Sequence, residues 1–177
     1  MQESKLRNID YGDRDSLGLF QQRPSQGWGT AKQIMDPWYS SGKFYGELVK
    51  FSKWKTVSIN DAAQQVQRSG YPEAYRKHEP LAKAWASALT GHSPSALTCI
   101  NRSSKTTTVQ ELARTARRAL APKVATQVTG PTVTFTATDP VLVRAAVALT
   151  MASTSLGPID RATVATTSWR ADSAHYA

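Results

Sequence analysis

The chain has one cysteine, Cys99, three histidines, no long basic run and no long apolar run. Each scarcity excludes something. A single cysteine can form neither an intrachain disulfide nor a cysteine-based zinc site. His78, His92 and His175 stand far apart without ligand spacing, so neither a metal nor any other cofactor is expected. His78, next to Glu79, reads as a solvated or capping side chain. The most apolar window, residues 140–159, contains Arg144 and several Ser and Thr. It falls short of the ~20 apolar residues that a membrane-spanning helix needs. Met1 runs directly into polar sequence, and no signal peptide is legible.

What is present bounds the answer further. With 177 residues, 40% of them hydrophobic and 20% charged, the chain reads as folded, in one ordinary domain or two small ones. The net charge of +9 implies an anionic partner, and nucleic acid, an anionic membrane surface or a bacterial cell wall would all serve. The charge is not concentrated: residues 1–98 carry 13 basic and 9 acidic side chains, residues 99–177 carry 9 and 4. Without a continuous basic stripe or a nucleic-acid motif, a nucleic-acid partner is not expected. Nothing in the composition bears on oligomeric state.

The first half reads as short helices. Asp36-Pro37 supplies a cap and an N1 proline before a run in which Phe44, Leu48 and Phe51 recur at helical spacing. A second helix begins near Ser58–Asp61, and Gly70 stands where a terminating glycine belongs. Pro80 opens a third, with Leu81, Trp85 and Leu89 on one face, and Gly91 ends it. Residues 91–107, rich in Ser, Thr and Pro, read as a linker. Beyond it, Val109, Leu112, Ala113, Ala116 and Leu120 share one side of an amphipathic helix. Two β-type runs flank a Gly130-Pro131 turn. An apolar helix then starts at Asp139-Pro140, and residues 161–171 read as one final strand. The fold class expected is α+β, with a mainly α domain over 1–90 and a small α-β-β-α-β domain over 108–177.

Residues 2–30 carry the chemistry. Glu3-Ser4 is followed, after an acidic loop holding Asp13, Asp15 and Ser16, by Gly18-Leu19-Phe20-Gln21, and then by Trp28 between two glycines. Cleaving a glycoside requires one carboxylic acid near the scissile oxygen, in a cleft whose polar groups hold the sugar. A glutamate walled by apolar side chains can keep the raised pKa of a general acid, and Phe20, Trp28 and Tyr71 are the aromatic residues available as walls. Asp13 and Asp15 are open to two readings: a second carboxylate that activates water, or an acidic turn preceding Gly18. A calcium loop is excluded, because Leu17 and Pro24 stand where oxygen ligands are required. The Gly27-Trp28-Gly29 segment is either a mobile tip with a sugar-facing indole or a tight turn with the indole packed beneath it. Arg114, Arg117 and Arg118 read as a solvated helix face, with anion binding as the functional alternative. Trp169 reads as core rather than as a sugar platform.

Glu3-Ser4 with Gly18-Leu19-Phe20-Gln21, and the longer string from Gly12 to Thr30, resemble the lysozyme-like superfamily of lytic transglycosylases and goose-type lysozymes, in an actinobacterial cell-wall branch. The likeness extends over residues 1 to about 90, with residues 61–79 in the place of that family's third motif. It implies a lysozyme-like domain that cleaves peptidoglycan glycan strands outside the cell membrane, at the cell wall, with Glu3 as general acid. Ser16, Gly18, Leu19, Phe20, Gln21, Trp28, Tyr71 and Tyr75 are then the substrate-binding residues. The partner implied is peptidoglycan or another anionic cell-wall polymer. Two departures accompany the likeness. Ser69-Gly70-Tyr71-Pro72 replaces the family's usual Tyr-Asn-Ala-Gly, and only Met1 and Gln2 precede Glu3, where the family has a long buried helix. The expectation is therefore an N-terminally truncated domain in which fraying would leave Glu3 solvated and mostly ionised. The alternative is a non-catalytic cell-wall binding protein on a degenerate lysozyme-like fold.

Overall fold

The computed structural model of the chain describes residues 1–98, 108–153 and 159–170. Cys99 and His175 lie outside the described residues, as do residues 100–107 of the expected linker. The chain is a mixed α+β protein that divides into two compact units, Met1–Ala82 and Lys83–Ala177. Among the described residues no helix is long and apolar enough to cross a membrane.

The first unit is built from helices α1 (Ala31–Ile34), α2 (Pro37–Lys50) and α3 (Ile59–Gln67), with α4 (Glu79–Leu89) crossing the unit boundary. Each of the first three starts on a side-chain cap. The Thr30 hydroxyl accepts from the Gln33 N–H in a reciprocal capping box, the Asp36 carboxylate accepts from the Trp38 N–H, and the Ser58 hydroxyl from the Asp61 N–H. Such caps satisfy backbone donors that a helix start otherwise leaves unpaired, and each contributes about 1 kcal/mol. Ile34 is fully buried, and Ala62 and Val66 are also among the unit's buried apolar residues. Burying Ile34 contributes about 2–3 kcal/mol.

The end of α3 differs from the expectation. The glycine signal at residue 70 is not used. Arg68 takes the left-handed cap conformation (φ 48°, ψ 44°), and its N–H donates to the Gln64 carbonyl at 2.8 Å. Leu81 and Trp85 do share a face of α4, but each is 46% exposed.

The second unit contains α5 (Val109–Leu120), the hairpin β1 (Ala125–Thr129) with β2 (Thr132–Thr136), α6 (Pro140–Ala152), and a second hairpin, β3 (Arg161–Val164) with β4 (Thr167–Arg170). The single final strand expected over 161–171 is thus two, paired with Ala162 opposite Trp169 and Val164 opposite Thr167. Ala165, with φ 52°, makes the turn that periodicity alone did not reveal. The two hairpins are separate two-stranded sheets. Gly130-Pro131 closes the first one as expected, with Thr129 opposite Thr132.

The amphipathic face of α5 packs inward, with Ala113 and Ala116 essentially inaccessible, against α6, whose Ala145, Ala146 and Ala148 are also buried. Small side chains let helices approach closely. Arg114, Arg117 and Arg118 are exposed, in line with a solvated face, and Arg117 also donates to the Thr126 carbonyl at 2.9 Å. The start of the segment read as a linker is packed structure. Arg144 donates to the Gly91 carbonyl at 2.6 Å, and a Cβ at Gly91 would lie 2.2 Å from the Val141 carbonyl oxygen.

Candidate functional site

The first unit's cleft is bordered by a closed loop, through its residues Gln21 and Gln22. Leu17 and Gln22 exchange backbone hydrogen bonds of 2.9 and 3.0 Å, so the four residues between them form one tight turn. Gly18 makes this possible with φ +75°, and a Cβ there would lie 2.8 Å from the Ile34 carbonyl oxygen. Only glycine meets both conditions without strain. From this turn, alternate residues serve opposite purposes. Phe20 stacks on Phe44 of α2 at 5.0 Å, and its carbonyl accepts from Gln67 Nε2 at 2.7 Å. The Leu19 carbonyl accepts from the Ser4 hydroxyl at 2.9 Å. Gln21, with φ 49°, projects the other way and is braced by donating to the Tyr11 and Gly18 carbonyls at 3.3 and 3.2 Å. Gly12 leaves room for it, since a Cβ there would lie 1.9 Å from Gln21 Oε1.

A cleft of about 1170 Å³ opens over this loop. Of the residues singled out from the sequence, Glu3, Asp13, Ser16, Gln21, Trp28, Tyr71 and Tyr75 all line it. Asp15, Gly18, Leu19 and Phe20 are not among its lining residues. Trp28 is half-buried between Gly27 (φ 76°) and Gly29 (φ 129°), where a Cβ on Gly29 would strike the Tyr39 ring. The segment is therefore a tight turn whose indole nevertheless borders the cleft. Tyr71 is 77% exposed.

Glu3 is half-buried, not stranded on a solvated end. The Lys5 N–H donates to the Met1 carbonyl at 2.9 Å, closing one α-type turn that ends with Lys5 and Leu6 at positive φ. Tyr75 donates its phenolic hydrogen to Glu3 Oε1 at 2.5 Å. Burial, and then the adjoining Glu3 carboxylate, hold the Tyr75 phenol well above its ordinary pKa. It stays protonated and remains a donor. His78 is anchored nearby through Nε2, 3.1 Å from Gln2 Oε1, and burial pushes its pKa down.

The two aspartates part company. Asp15 accepts from Arg23 Nε at 2.7 Å, from the Ser25 N–H at 2.8 Å and from the Ser25 hydroxyl at 2.9 Å. The Arg23 guanidinium first, then the Ser25 N–H, hold its carboxyl well below the usual carboxylate range. Both of its oxygens are engaged in hydrogen bonds that fix the turn. Asp13 borders the cleft with its side chain 91% exposed, 4.0 Å from Arg14.

Sequence reasoning overlooked part of the lining. Lys43, Glu47 and Lys50 of α2 line the cleft, as do Gln65 and Arg68 from the end of α3. The 43, 47, 50 spacing is one helical stripe, and it was legible as such, but a polar stripe ordinarily marks a solvated face. Among the described residues no three His, Cys, Asp or Glu side chains gather as metal ligands. Compared with family models, with curated proteins and with solved structures, the chain gives no match.

Proposed function

We propose that the first unit is a lysozyme-like domain that cleaves the glycan strands of peptidoglycan, with Glu3 as the general acid. The observation that carries the reading is the Tyr75–Glu3 hydrogen bond at the wall of a cleft also lined by Gln21, Trp28 and Tyr71. The cleft volume exceeds the roughly 300–1,000 Å³ of small-molecule pockets, which suits a polymer strand. A basic protein of net charge +9 suits a polyanionic wall, and this substrate puts the site of action outside the cell membrane.

In this reading Tyr75 fixes Oε1 of Glu3, while Oε2, with no hydrogen bond among the described residues, addresses the substrate. Glu3 donates its proton to the glycosidic oxygen as the bond from N-acetylmuramic acid C1 breaks, and N-acetylglucosamine leaves with a free 4-hydroxyl. The glutamate, now a carboxylate, takes the proton of the muramic acid 6-hydroxyl as that oxygen bonds to C1. The product is a 1,6-anhydro sugar, and no water is consumed. The engagement of Asp15 by Arg23 and Ser25 leaves Asp13, exposed on the same cleft, as the second carboxylate that the hydrolytic outcome would use.

Incubation of purified peptidoglycan with the protein and with Glu3→Gln, followed by mass spectrometry, tests the proposal. Anhydro-muramyl ends that disappear in the variant are expected. Reducing ends would redirect the outcome to hydrolysis. Retention on peptidoglycan with no product from either protein would make the chain a binding protein.

A further inference from the structure

Five cations line the cleft of the first unit: Arg14, Arg23, Lys43, Lys50 and Arg68. Three have carboxylate partners. Arg23 is paired with Asp15 at 2.7 Å, Lys50 with Glu47 at 2.7 Å, and Arg14 lies 4.0 Å from Asp13. Arg68 forms no ion pair with any described residue, and Lys43 forms none within 4.0 Å, although its charge acts on Glu47. Arg68 is the more telling of the two. It holds the left-handed cap of α3 at φ 48°, a conformation that glycine adopts freely and an arginine only at a cost. A cation near a helix C-terminus is favourable in itself, but the preceding turn would offer that without backbone strain. Arg14 and Gln21, at φ 55° and 49°, are likewise left-handed non-glycine residues on the same cleft. Strained positions of this kind concentrate where a side chain must be presented to a ligand.

A neutral N-acetylated glycan offers Arg68 nothing to pair with. A strand that carries carboxylates on its lactyl and peptide substituents does, and the planar guanidinium fork matches a carboxylate in bidentate geometry. We propose that Arg68, supported by Lys43, selects peptide-substituted glycan strands by binding a substituent carboxylate at the cleft wall. The inference rests on the glycan-cleaving reading of the same cleft and adds the substrate feature that it distinguishes.

The test is titration calorimetry on the full chain at low ionic strength with two probes. One is tetra-N-acetylchitotetraose, and the other a peptidoglycan tetrasaccharide with its peptide stems. The peptide-bearing probe is expected to bind about tenfold more tightly, the scale of one added charged contact. Arg68→Gln should remove most of that advantage and leave the neutral probe's Kd unchanged, and Arg68→Lys should retain part of it. Arg68→Gly should raise Tm by relieving the backbone yet lose the preference, a combination that a purely structural arginine would not give. Equal affinity of the wild-type protein for both probes, or a parallel loss for both in Arg68→Gln, overturns the carboxylate role and leaves the glycan reading standing. Failure to bind either probe overturns both.

Discussion

Tyr75 Oη lies 2.5 Å from Glu3 Oε1 and joins residues 72 positions apart. The bond gives the first turn of the chain a fixed place in the first unit. Its donor is a half-buried phenol whose raised pKa keeps it protonated, so the contact persists throughout the neutral range.

Tyr75→Phe removes only the hydroxyl. The expected cost is about 1–2 kcal/mol of stability, measured by urea unfolding. If Glu3 is the general acid proposed above, its misplacement slows glycan cleavage about 10- to 100-fold. The alkaline limb follows from the same shift. Above the ordinary phenol value of 10.0 the unfolded chain gives up this proton while the folded chain keeps it, so stability falls as pH rises there. Tyr75→Phe should lose less stability in that range than the wild-type protein.

Asp15 has the opposite sign. Its folded-state pKa lies well below the ordinary aspartate value of 3.8, so its contribution is complete above that pH and disappears as acid protonates the folded carboxylate. Asp15→Asn is expected to lower the urea midpoint at pH 7 and to flatten its dependence on pH below 4. The anhydro character of the products should not change, because Asp15 does not border the cleft. Loss of cleavage in Asp15→Asn under conditions where the variant stays folded would assign Asp15 a chemical role.

Gly18→Ala places a methyl group 2.8 Å from the Ile34 carbonyl oxygen at a φ of +75°. The combined backbone and steric penalty is expected to reach about 2–3 kcal/mol. Chemical denaturation would detect it, together with loss of the Leu17–Gln22 pairing in amide exchange.

In the second unit, Arg161 and Arg170 stand directly opposite each other across the β3–β4 hairpin. Like charges so placed repel. Arg161→Glu is expected to stabilise the hairpin by about 0.5 kcal/mol at low salt and by less at high salt, readable as a rise in Tm.

Legibility from sequence followed locality. Caps at Asp36, Ser58 and Asp139 and the inward stripe of α5 could be read because each depends on a few neighbouring residues. The α3 terminus could not, because choosing Arg68 over Gly70 depends on where the chain must go next. The β3–β4 turn was hidden because Ala165 carries no turn signature. At the candidate site, Glu3, Gln21 and Tyr75 were named from motif types, but their common cleft is a property of long-range contacts. Asp13 and Asp15 looked interchangeable in sequence. Arg23 and Ser25, whose bonds to Asp15 separate the two, carry no such mark in the sequence. The cationic wall went unnoticed because a helix stripe does not reveal whether it meets water or a cleft.

The Ser4–Leu19, Gln67–Phe20 and Tyr75–Glu3 bonds span 15, 47 and 72 positions. That gradient has a consequence for biosynthesis. A chain emerging from the ribosome holds Glu3 and the Gly18 loop well before Gln67 and Tyr75 exist. Local pairing across Leu17 and Gln22 can form early, whereas contacts of large sequence separation carry the larger closure entropy and form late. The Glu3 carboxylate therefore acquires its fixed orientation only when nearly all of the first unit has been synthesised. A nascent chain that stops short of residue 75 carries the glutamate without the phenol that fixes it.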